Sequence, residues 1–315
     1  MSPPKRIDIV VPTYNCARWI DAFFDSLVAQ DYENFHAIAR DDGSSDDTAL
    51  KLEAWRRRLA GRMTVFANDE KNLGMIRSYD LLLEATTSSW VMMGDPNDVW
   101  RTDKTSLSTA AMQRLEARRG KDVPLIVASD ATIVNNESKP ISPSLWQWAK
   151  LNPHLVTDLR RMIVEHPGLC PTMLFNRTAL NMALPLTRCA LYQDWWLILI
   201  GCAFGEVCLL PEPTILYRRH DSNFSGIPLT TSLREAMRNI HTARGRTEKL
   251  IGQFAGQAAA FLEVFGDRLT PQQAKGLSCV ARLPKASSLQ RKWLVLRSGL
   301  WFSSRLKNIV FFILL

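Results

Sequence analysis

The chain has no Cys-x-x-Cys pair; its cysteines, Cys16, Cys170, Cys189, Cys202, Cys208 and Cys279, are scattered through 315 residues. That spacing signals neither a thiolate zinc site nor a disulfide framework, and it points to buried free thiols in a reducing compartment. The first apolar run leads into Pro-Thr-Tyr-Asn instead of Gly-x-Gly-x-x-Gly, which argues against a dinucleotide-binding dehydrogenase. The opening residues reach Ile7 without an apolar h-region, so the chain is expected to be unexported. The apolar run at residues 309–315 is far shorter than the roughly 20 residues a spanning helix needs. There is no internal repeat and no recognised nucleic-acid motif. Acidic residues are scarce at one end only. Residues 227–315 hold 14 Lys+Arg against 4 Asp+Glu, whereas residues 1–226 hold 25 against 27, so the formal charge of +8 is a property of the tail.

What is present is enough apolar material, 46%, for one large core or a core with a smaller appended unit. Ile-Asp-Ile-Val-Val at residues 7–11, ended by Pro12, suits a buried strand. Trp19, Ile20, Phe23, Phe24, Leu27 and Val28 then recur at helical spacing. A second strand, polar loop and helix follow at residues 35–39, 41–45 and 48–59, and residues 63–67, 75–85 and 90–93 repeat the alternation. This pattern predicts an α/β fold with a mostly parallel sheet covered by helices on both faces. Further along, residues 103–119 read as a helix and 124–134 as a strand; residues 170–175, 207–210 and 214–217 read as three more short strands. Trp146 and Trp148 are expected to be packing residues.

In such sheets ligands bind beyond the carboxyl ends of the strands, and here those ends are polar. One leads into Pro12, Thr13, Tyr14 and Asn15, another into Asp41, Asp42, Gly43 and Ser44, and a third into Gly94-Asp-Pro-Asn-Asp-Val-Trp100. Each is by itself an ordinary turn composition, but three converging loops predict one crevice. Carboxylates at Asp95 and Asp98 could hold a hard divalent cation against phosphate oxygens. Asp194, just before a long apolar helix, is placed either to cap that helix or to act in chemistry.

In order and spacing, residues 9–15, 41–48, Asn72-Leu73-Gly74, 95–100, 192–197 and 217–226 resemble the family 2 glycosyltransferases. These are inverting, nucleotide-sugar-dependent enzymes of the GT-A fold, and the resemblance covers roughly residues 6–226. Within the family, the Asp-rich loop and the Tyr-Arg-x-His ending resemble bacterial enzymes that build cell-surface polysaccharides, rhamnosyltransferases among them. The resemblance implies a GT-A domain at residues 1–226 and a basic helical region at 227–315. It further implies that Pro12 and Tyr14 frame the base and that Asp42 accepts a hydrogen bond from the ring N–H of uracil or thymine. Arg77, Arg218 and Arg219 would help to offset the diphosphate charge, and His220 would contact the diphosphate or the metal, or else be structural. Mg²⁺ or Mn²⁺ would sit on Asp95, Asn97 and Asp98, and Asp194 would be the catalytic base. The family's usual Asp-Gln-Asp-Asp is Asp-Pro-Asn-Asp here, so Asn97 replaces the usual direct ligand and metal binding should be weaker.

The partners implied are a UDP- or dTDP-sugar donor and a saccharide acceptor, lipid-linked, at the inner face of the cytoplasmic membrane; nucleic acid is not expected. Asn97 leaves open a non-catalytic nucleotide-sugar-binding module instead. In the tail, Trp293, Leu296, Leu300, Trp301, Ile309, Phe312 and Ile313 alternate with Arg297, Arg305 and Lys307. That pattern fits an interfacial helix on an anionic bilayer, or a helix packed on its own domain or on a second copy in a homo-oligomer.

Overall fold

A computed structural model describes residues 5–67, 72–155, 158–186, 191–219 and 240–315. In chain order the first elements are β1 (Ile7–Thr13), α1 (Ile20–Val28), β2 (Phe35–Asp41), α2 (Thr48–Arg58), β3 (Met63–Phe66), α3 (Met75–Glu84) and β4 (Trp90–Met93). Next come β5 (Val99–Trp100), α4 (Lys104–Arg119), β6 (Leu125–Val134), β7 (Pro140–Ser142), α5 (Leu145–Trp148) and α6 (Leu159–Met162). Then follow β8 (Met173–Asn176), α7 (Arg177–Ala183), α8 (Gln193–Phe204) and β9 (Glu206–Arg218). The chain ends in α9 (Ile240–Phe265), α10 (Pro271–Ala281), α11 (Ser288–Ser298) and α12 (Arg305–Leu314).

Two compact units result. The first takes Met1–Leu145, Gly168–Thr187 and Trp196–Asp221, the second Trp146–Pro167, Arg188–Trp195 and Ser222–Leu315. The boundary expected near residues 226–229 lies outside the described residues. Two earlier segments, which the sequence had suggested for the first domain, join the second unit.

In the first unit one sheet runs in the order β3-β2-β1-β4-β8-β6-β9-β5, with β7 beside β6. The strands β3, β2, β1 and β4 are parallel; β8 is reversed between β4 and β6, and β9 is parallel to β6. This is the α/β architecture that the alternation predicted, with α3 packed on β1 and α4 on β6 and β8. Ile7, Ile9, Val10 and Val11 are wholly buried, as a central parallel strand covered on both faces requires. Asp8, in their midst, is buried too, because its carboxylate accepts from the N–H groups of Thr87 at 2.7 Å and Ser88 at 2.8 Å, and from the Ser88 hydroxyl at 2.7 Å. A buried charge is tolerated when hydrogen bonds replace its hydration.

Three expectations change. The strands expected at residues 207–210 and 214–217 are one strand, β9, whose pairing with β6 shifts register opposite Ser129 and Asp130. Proline cannot donate to a ladder, so at Pro211 and Pro213 the pairing shifts register, with Pro213 opposite Asp130, without reversing the chain. The run at residues 170–175 opens as a 3₁₀ turn, Cys170–Thr172, before entering β8. The stretch after Asp98, read as loop, is strand β5, antiparallel to β9 with Val99 opposite Leu216.

The second unit is helical where described. The long helix α9 buries Leu250, Ile251, Phe254, Ala258 and Phe261 along one side and packs on α10 and α12. Thr270 caps α10 in a capping box with Gln273, and Pro271 sits at its start, where a missing N–H costs nothing. Trp146 is buried, its indole N–H donating to the Pro167 carbonyl at 2.9 Å, which bears out a packing role; Trp148 is 42% exposed.

Candidate active site

Because β2, β1 and β4 are parallel neighbours, their following loops leave the same edge of the sheet; Thr13 is in register with Asp41, and Val10 with Met93. The first two loops are stitched together. Asn15 N–H donates to Ser44 Oγ at 2.9 Å, and Asn15 Oδ1 accepts from Ser45 N–H at 2.9 Å. Cys16 N–H donates to Thr48 Oγ1 at 2.8 Å, and Ala17 N–H to Asp46 Oδ2 at 3.1 Å. Asp41 holds the turn from inside, accepting from Ser44 N–H at 3.0 Å and from its hydroxyl at 2.5 Å. Short Asp, Asn, Ser and Thr side chains reach nearby backbone N–H groups, which is why this composition makes an ordered loop. The frame leaves the Tyr14 side chain 55% exposed beside the half-buried Pro12. A cavity of about 500 Å³ opens at the ends of β2 and β3, lined by Asp41, Gly43, Ser44, Leu52, Val65 and Phe66 among others.

Asp42 is 4% exposed. Its Oδ1 accepts from Leu73 N–H at 2.9 Å and from the Arg40 guanidinium, and its Oδ2 accepts from Gly74 N–H at 2.9 Å. Burial acts to raise its pKa, but the hydrogen bonds from Leu73, Arg40, Ser78 and Gly74 together outweigh it and hold the carboxyl below the usual range. Asp42 is thus ionised and joins two of the segments singled out in the sequence. Arg77, in the first turn of α3, donates to Asp80 Oδ2 at 2.7 Å. Asp80 is wholly buried and accepts from Leu186 N–H at 2.6 Å, so Arg77 is aimed by a fixed carboxylate.

At the third loop Gly94 lies against α1: a Cβ there would sit 2.6 Å from Phe23 Cζ, and its carbonyl accepts from Tyr79 Oη at 3.0 Å. The turn closes on Asp95, whose Oδ1 accepts from Asn97 N–H at 3.0 Å and whose carbonyl accepts from Asp98 N–H at 3.1 Å. Asp95 and Asn97 are half-exposed. Asp98 is 1% exposed; its Oδ1 accepts from Arg218 N–H at 2.9 Å, and its Oδ2 is buried with no hydrogen-bond partner among the described residues. The chain enters β5 at the next residue, and pairing with β9 turns Asp98 inward.

Arg218 is 4% exposed. Its Nε donates to the Asn97 carbonyl at 2.9 Å, and its Nη1 reaches the carbonyls of Asn135 at 3.2 Å and Asn136 at 2.9 Å and Ser138 Oγ at 3.0 Å. Asp98, expected as a metal ligand, and Arg218, expected as a phosphate ligand, are thus both buried and both make hydrogen bonds that fix the loop. Arg219 is exposed, with its N–H on the Val134 carbonyl at 2.9 Å. His220 lies outside the described residues.

Lys104 was not anticipated. It is wholly buried, with Nζ 4.6 Å from the Trp100 ring centre and no hydrogen-bond partner among the described residues. Burial pushes its pKa down to about 7, against the opposing pull of Asp98. Burial, then the charge of Asp95, pushes Asp98 well above the carboxylate range, with Arg218 and Lys104 pulling the other way. A lysine in the first turn of a mostly polar helix reads as solvent-facing, so the sequence carried no signal for this pair.

Asp194 belongs to the second unit, in the first turn of α8; it is 9% exposed, and its Oδ1 accepts from Trp195 N–H at 2.7 Å. Trp195 is clamped: its indole N–H donates to the Met162 carbonyl, and the His166 ring stacks on it at 5.1 Å.

Among the described residues no three His, Cys, Asp or Glu side chains gather as a metal cage. The donors at the turn are the Asp95 carboxylate and the Asn97 amide oxygen. Hard oxygens few in number suit Mg²⁺ or Mn²⁺, which draw remaining ligands from phosphate and water.

A sheet of this order, with Asp-bearing loops gathered at one edge, has the architecture of the GT-A fold. Residues 8–118 match the model of the family Glycosyl transferase family 2. A glycosyltransferase of Haemophilus influenzae is 23% identical over 241 residues, spanning 70% of this chain and 68% of its own. The UDP-Glc:alpha-D-GlcNAc-diphosphoundecaprenol beta-1,3-glucosyltransferase WfgD of Escherichia coli is 24% identical over 210 residues, 63% of this chain and 74% of its own. In fold, the chain is similar to Staphylococcus aureus TarS 1–349 in complex with UDP-GlcNAc, with a TM-score of 0.54 and 16% identity over 98% of this chain and 89% of that one. It is also similar to the mannosyltransferase PcManGT of Pyrobaculum calidifontis in complex with GDP-Man and Mn²⁺, with a TM-score of 0.53 and 14% identity over 98% and 87%.

Proposed function

We propose that the protein is an inverting glycosyltransferase that moves a hexosyl or deoxyhexosyl group from a UDP- or dTDP-sugar to a lipid-linked saccharide in bacterial surface-polysaccharide synthesis. The observation that carries the reading is the stitched frame of the loops after β1 and β2, beside the Asp95 turn after β4. Tyr14 offers an exposed ring for a base to stack on. Asp42, held ionised, presents its remaining Oδ2 lone pair to a pyrimidine N–H. The kinship to WfgD, which by its name acts on a diphosphoundecaprenol-linked sugar, supports the acceptor class.

In the reaction the acceptor hydroxyl oxygen bonds to the anomeric carbon from the face opposite the nucleotide, and its proton passes to the Asp194 carboxylate. The bond from that carbon to the phosphate oxygen breaks, and its electron pair leaves with the nucleoside diphosphate. Asp95 and Asn97 would hold a Mg²⁺ or Mn²⁺, which offsets the diphosphate charge when bound. Arg77 and Arg219 would supply positive charge to the diphosphate.

A panel of UDP- and dTDP-sugars, with mass-spectrometric detection of released nucleotide, is the test. One donor should be turned over, and Asp194→Asn should slow transfer by about 10²-fold or more while still binding it. Normal transfer by that variant would refute the role of Asp194. Donor binding without turnover by the wild type would establish the non-catalytic module that Asn97 suggests.

A further inference from the structure

The two last helices are two-sided. The helix α11 buries Leu294, Val295 and Ser298 yet leaves Leu289 82%, Trp293 52% and Leu296 57% exposed. The helix α12 buries Val310, Phe311 and Leu314 and leaves Leu306 38%, Ile309 52% and Ile313 51% exposed. Residues 289, 293 and 296 stand at i, i+4, i+7, and 306, 309 and 313 at i, i+3, i+7, so each set forms one stripe. Lys292 Nζ lies 5.6 Å from the Phe312 ring centre, which brings the two helix surfaces together, and the Arg297 guanidinium lies 4.6 Å from the Trp293 ring centre. Of the 14 large apolar residues exposed among the described residues, 6 lie on these two helices, so this is a patch and not scatter.

We propose that this patch docks the enzyme on an anionic lipid bilayer, the helices lying flat at the interface. The charge around it selects the occupant. Residues 268–315 hold 9 Lys+Arg and no Asp or Glu, and Arg282, Lys285, Arg297 and Arg305 are exposed. A second copy, meeting this patch with its own across a two-fold axis, would oppose like charges. Nucleic acid would satisfy the charges but offers nothing to exposed Leu and Ile. An interface of apolar chains beneath anionic headgroups satisfies both. No helix among the described residues is long and apolar enough to cross a membrane, which agrees with contact from one side.

The patch is also fastened to the segment that bears the candidate base. Lys307 donates to Glu165 Oε1 at 2.6 Å and to the Ala149 carbonyl at 2.9 Å, with both charged partners largely shielded, and Ser303 N–H donates to Glu165 Oε2 at 2.7 Å. Rings run from Trp195 to Phe254 at 6.0 Å, on to Phe302 at 6.2 Å, and to Phe311 of α12 at 5.3 Å. Docking would therefore hold Asp194, one residue from Trp195, in a unit fixed at the surface where a lipid-linked hydroxyl arrives. This purpose rests on the proposed acceptor class, whereas binding is measured without turnover.

The test is co-sedimentation of the full chain with phosphatidylcholine vesicles, alone and with about a quarter phosphatidylglycerol, at low and high salt. Wild type should bind the anionic vesicles, more weakly in salt. Trp293→Glu/Ile309→Glu should lower that binding about tenfold or more with an unchanged melting temperature, since both side chains are exposed. Arg297→Glu/Arg305→Glu, which leaves the apolar stripes intact, should lower it as well. Failure of wild type to bind, or equal binding by both variants, would overturn the proposal. So would a wild-type dimer that the apolar variant converts to monomer, or binding to RNA that displaces the vesicles. Nucleotide release with a soluble acceptor should be the same in wild type and variants; if it is absent from all of them, the catalytic reading fails while the vesicle result stands.

Discussion

Arg218→Ala, measured with no donor present, separates two roles that the sequence could not. An arginine that only binds phosphate can be removed without loss of donor-free stability, since it contributes repulsion and not cohesion to the empty site. Here the guanidinium joins the Asn97 carbonyl to the turn at residues 135–138 through four hydrogen bonds, and the residue is 4% exposed. None of Asn97, Asn135, Asn136 and Ser138 is fully buried, so water can reach their oxygens once the side chain is gone and each bond costs about 0.5–1 kcal/mol. A total loss of about 2–4 kcal/mol follows, with Arg218→Lys losing about half, because an ammonium keeps the charge but not the fork. Urea unfolding followed by tryptophan fluorescence reads the stability, and calorimetric titration with the donor reads affinity. Unchanged or raised donor-free stability, combined with lost donor affinity, would refute the clamp and restore Arg218 to the phosphate.

Lys104→Met should flatten the pH dependence of unfolding. Burial lowers the folded pKa to about 7 from an ordinary 10.5, so above pH 7 the unfolded chain binds a proton the folded one does not. The contribution to stability is complete above the unfolded value and lost as pH falls toward 7, a slope of at most about 1.4 kcal/mol per pH unit. Unfolding free energies at pH 7, 8 and 9 should therefore rise more steeply in wild type than in the variant, and equal slopes would show that Lys104 is not the titrating group. Gly94→Ala should cost about 1–3 kcal/mol and weaken donor binding, because its Cβ meets Phe23 Cζ at 2.6 Å and Val11 Cγ2 at 3.2 Å beside the Asp95 turn. Gly252→Ala, in α9 with nothing within 4 Å, should raise stability by up to about 1 kcal/mol. A fall in its melting temperature would mean that the position is not open.

The first half of the sheet was legible because its signals are local. Residues 7–11 and 90–93 are apolar throughout, as parallel strands covered on both faces must be, and the helices between them carry one apolar face each. The gathering of Tyr14, Asp42 and Asp95 was legible for the same reason: three strand ends, three polar loops. What the sequence could not supply is which side of a turn each residue takes. Asp95, Asn97 and Asp98 look equivalent in a heptapeptide, and the choice is made by the pairing of Val99 with Leu216, far along the chain. That pairing sends Asp98 and Arg218 inward together, where each satisfies the other's loop, and leaves Asp95 and Asn97 at the surface. On the proposed reading, the departure from the family pattern at Asn97 falls on the half of the motif that would face a ligand, while buried Asp98 keeps its carboxylate. A substitution so placed would weaken the hold on a cation without loosening the loop that would present it. The tail shows the same division from the other side. Its two candidate roles, packing and membrane contact, were posed as alternatives because a sequence gives one periodicity per helix. The structure buries one face of each helix and exposes the other, so that Val310 and Phe311 anchor what Ile309 and Ile313 expose, and packing on one face leaves the other open to the proposed membrane contact.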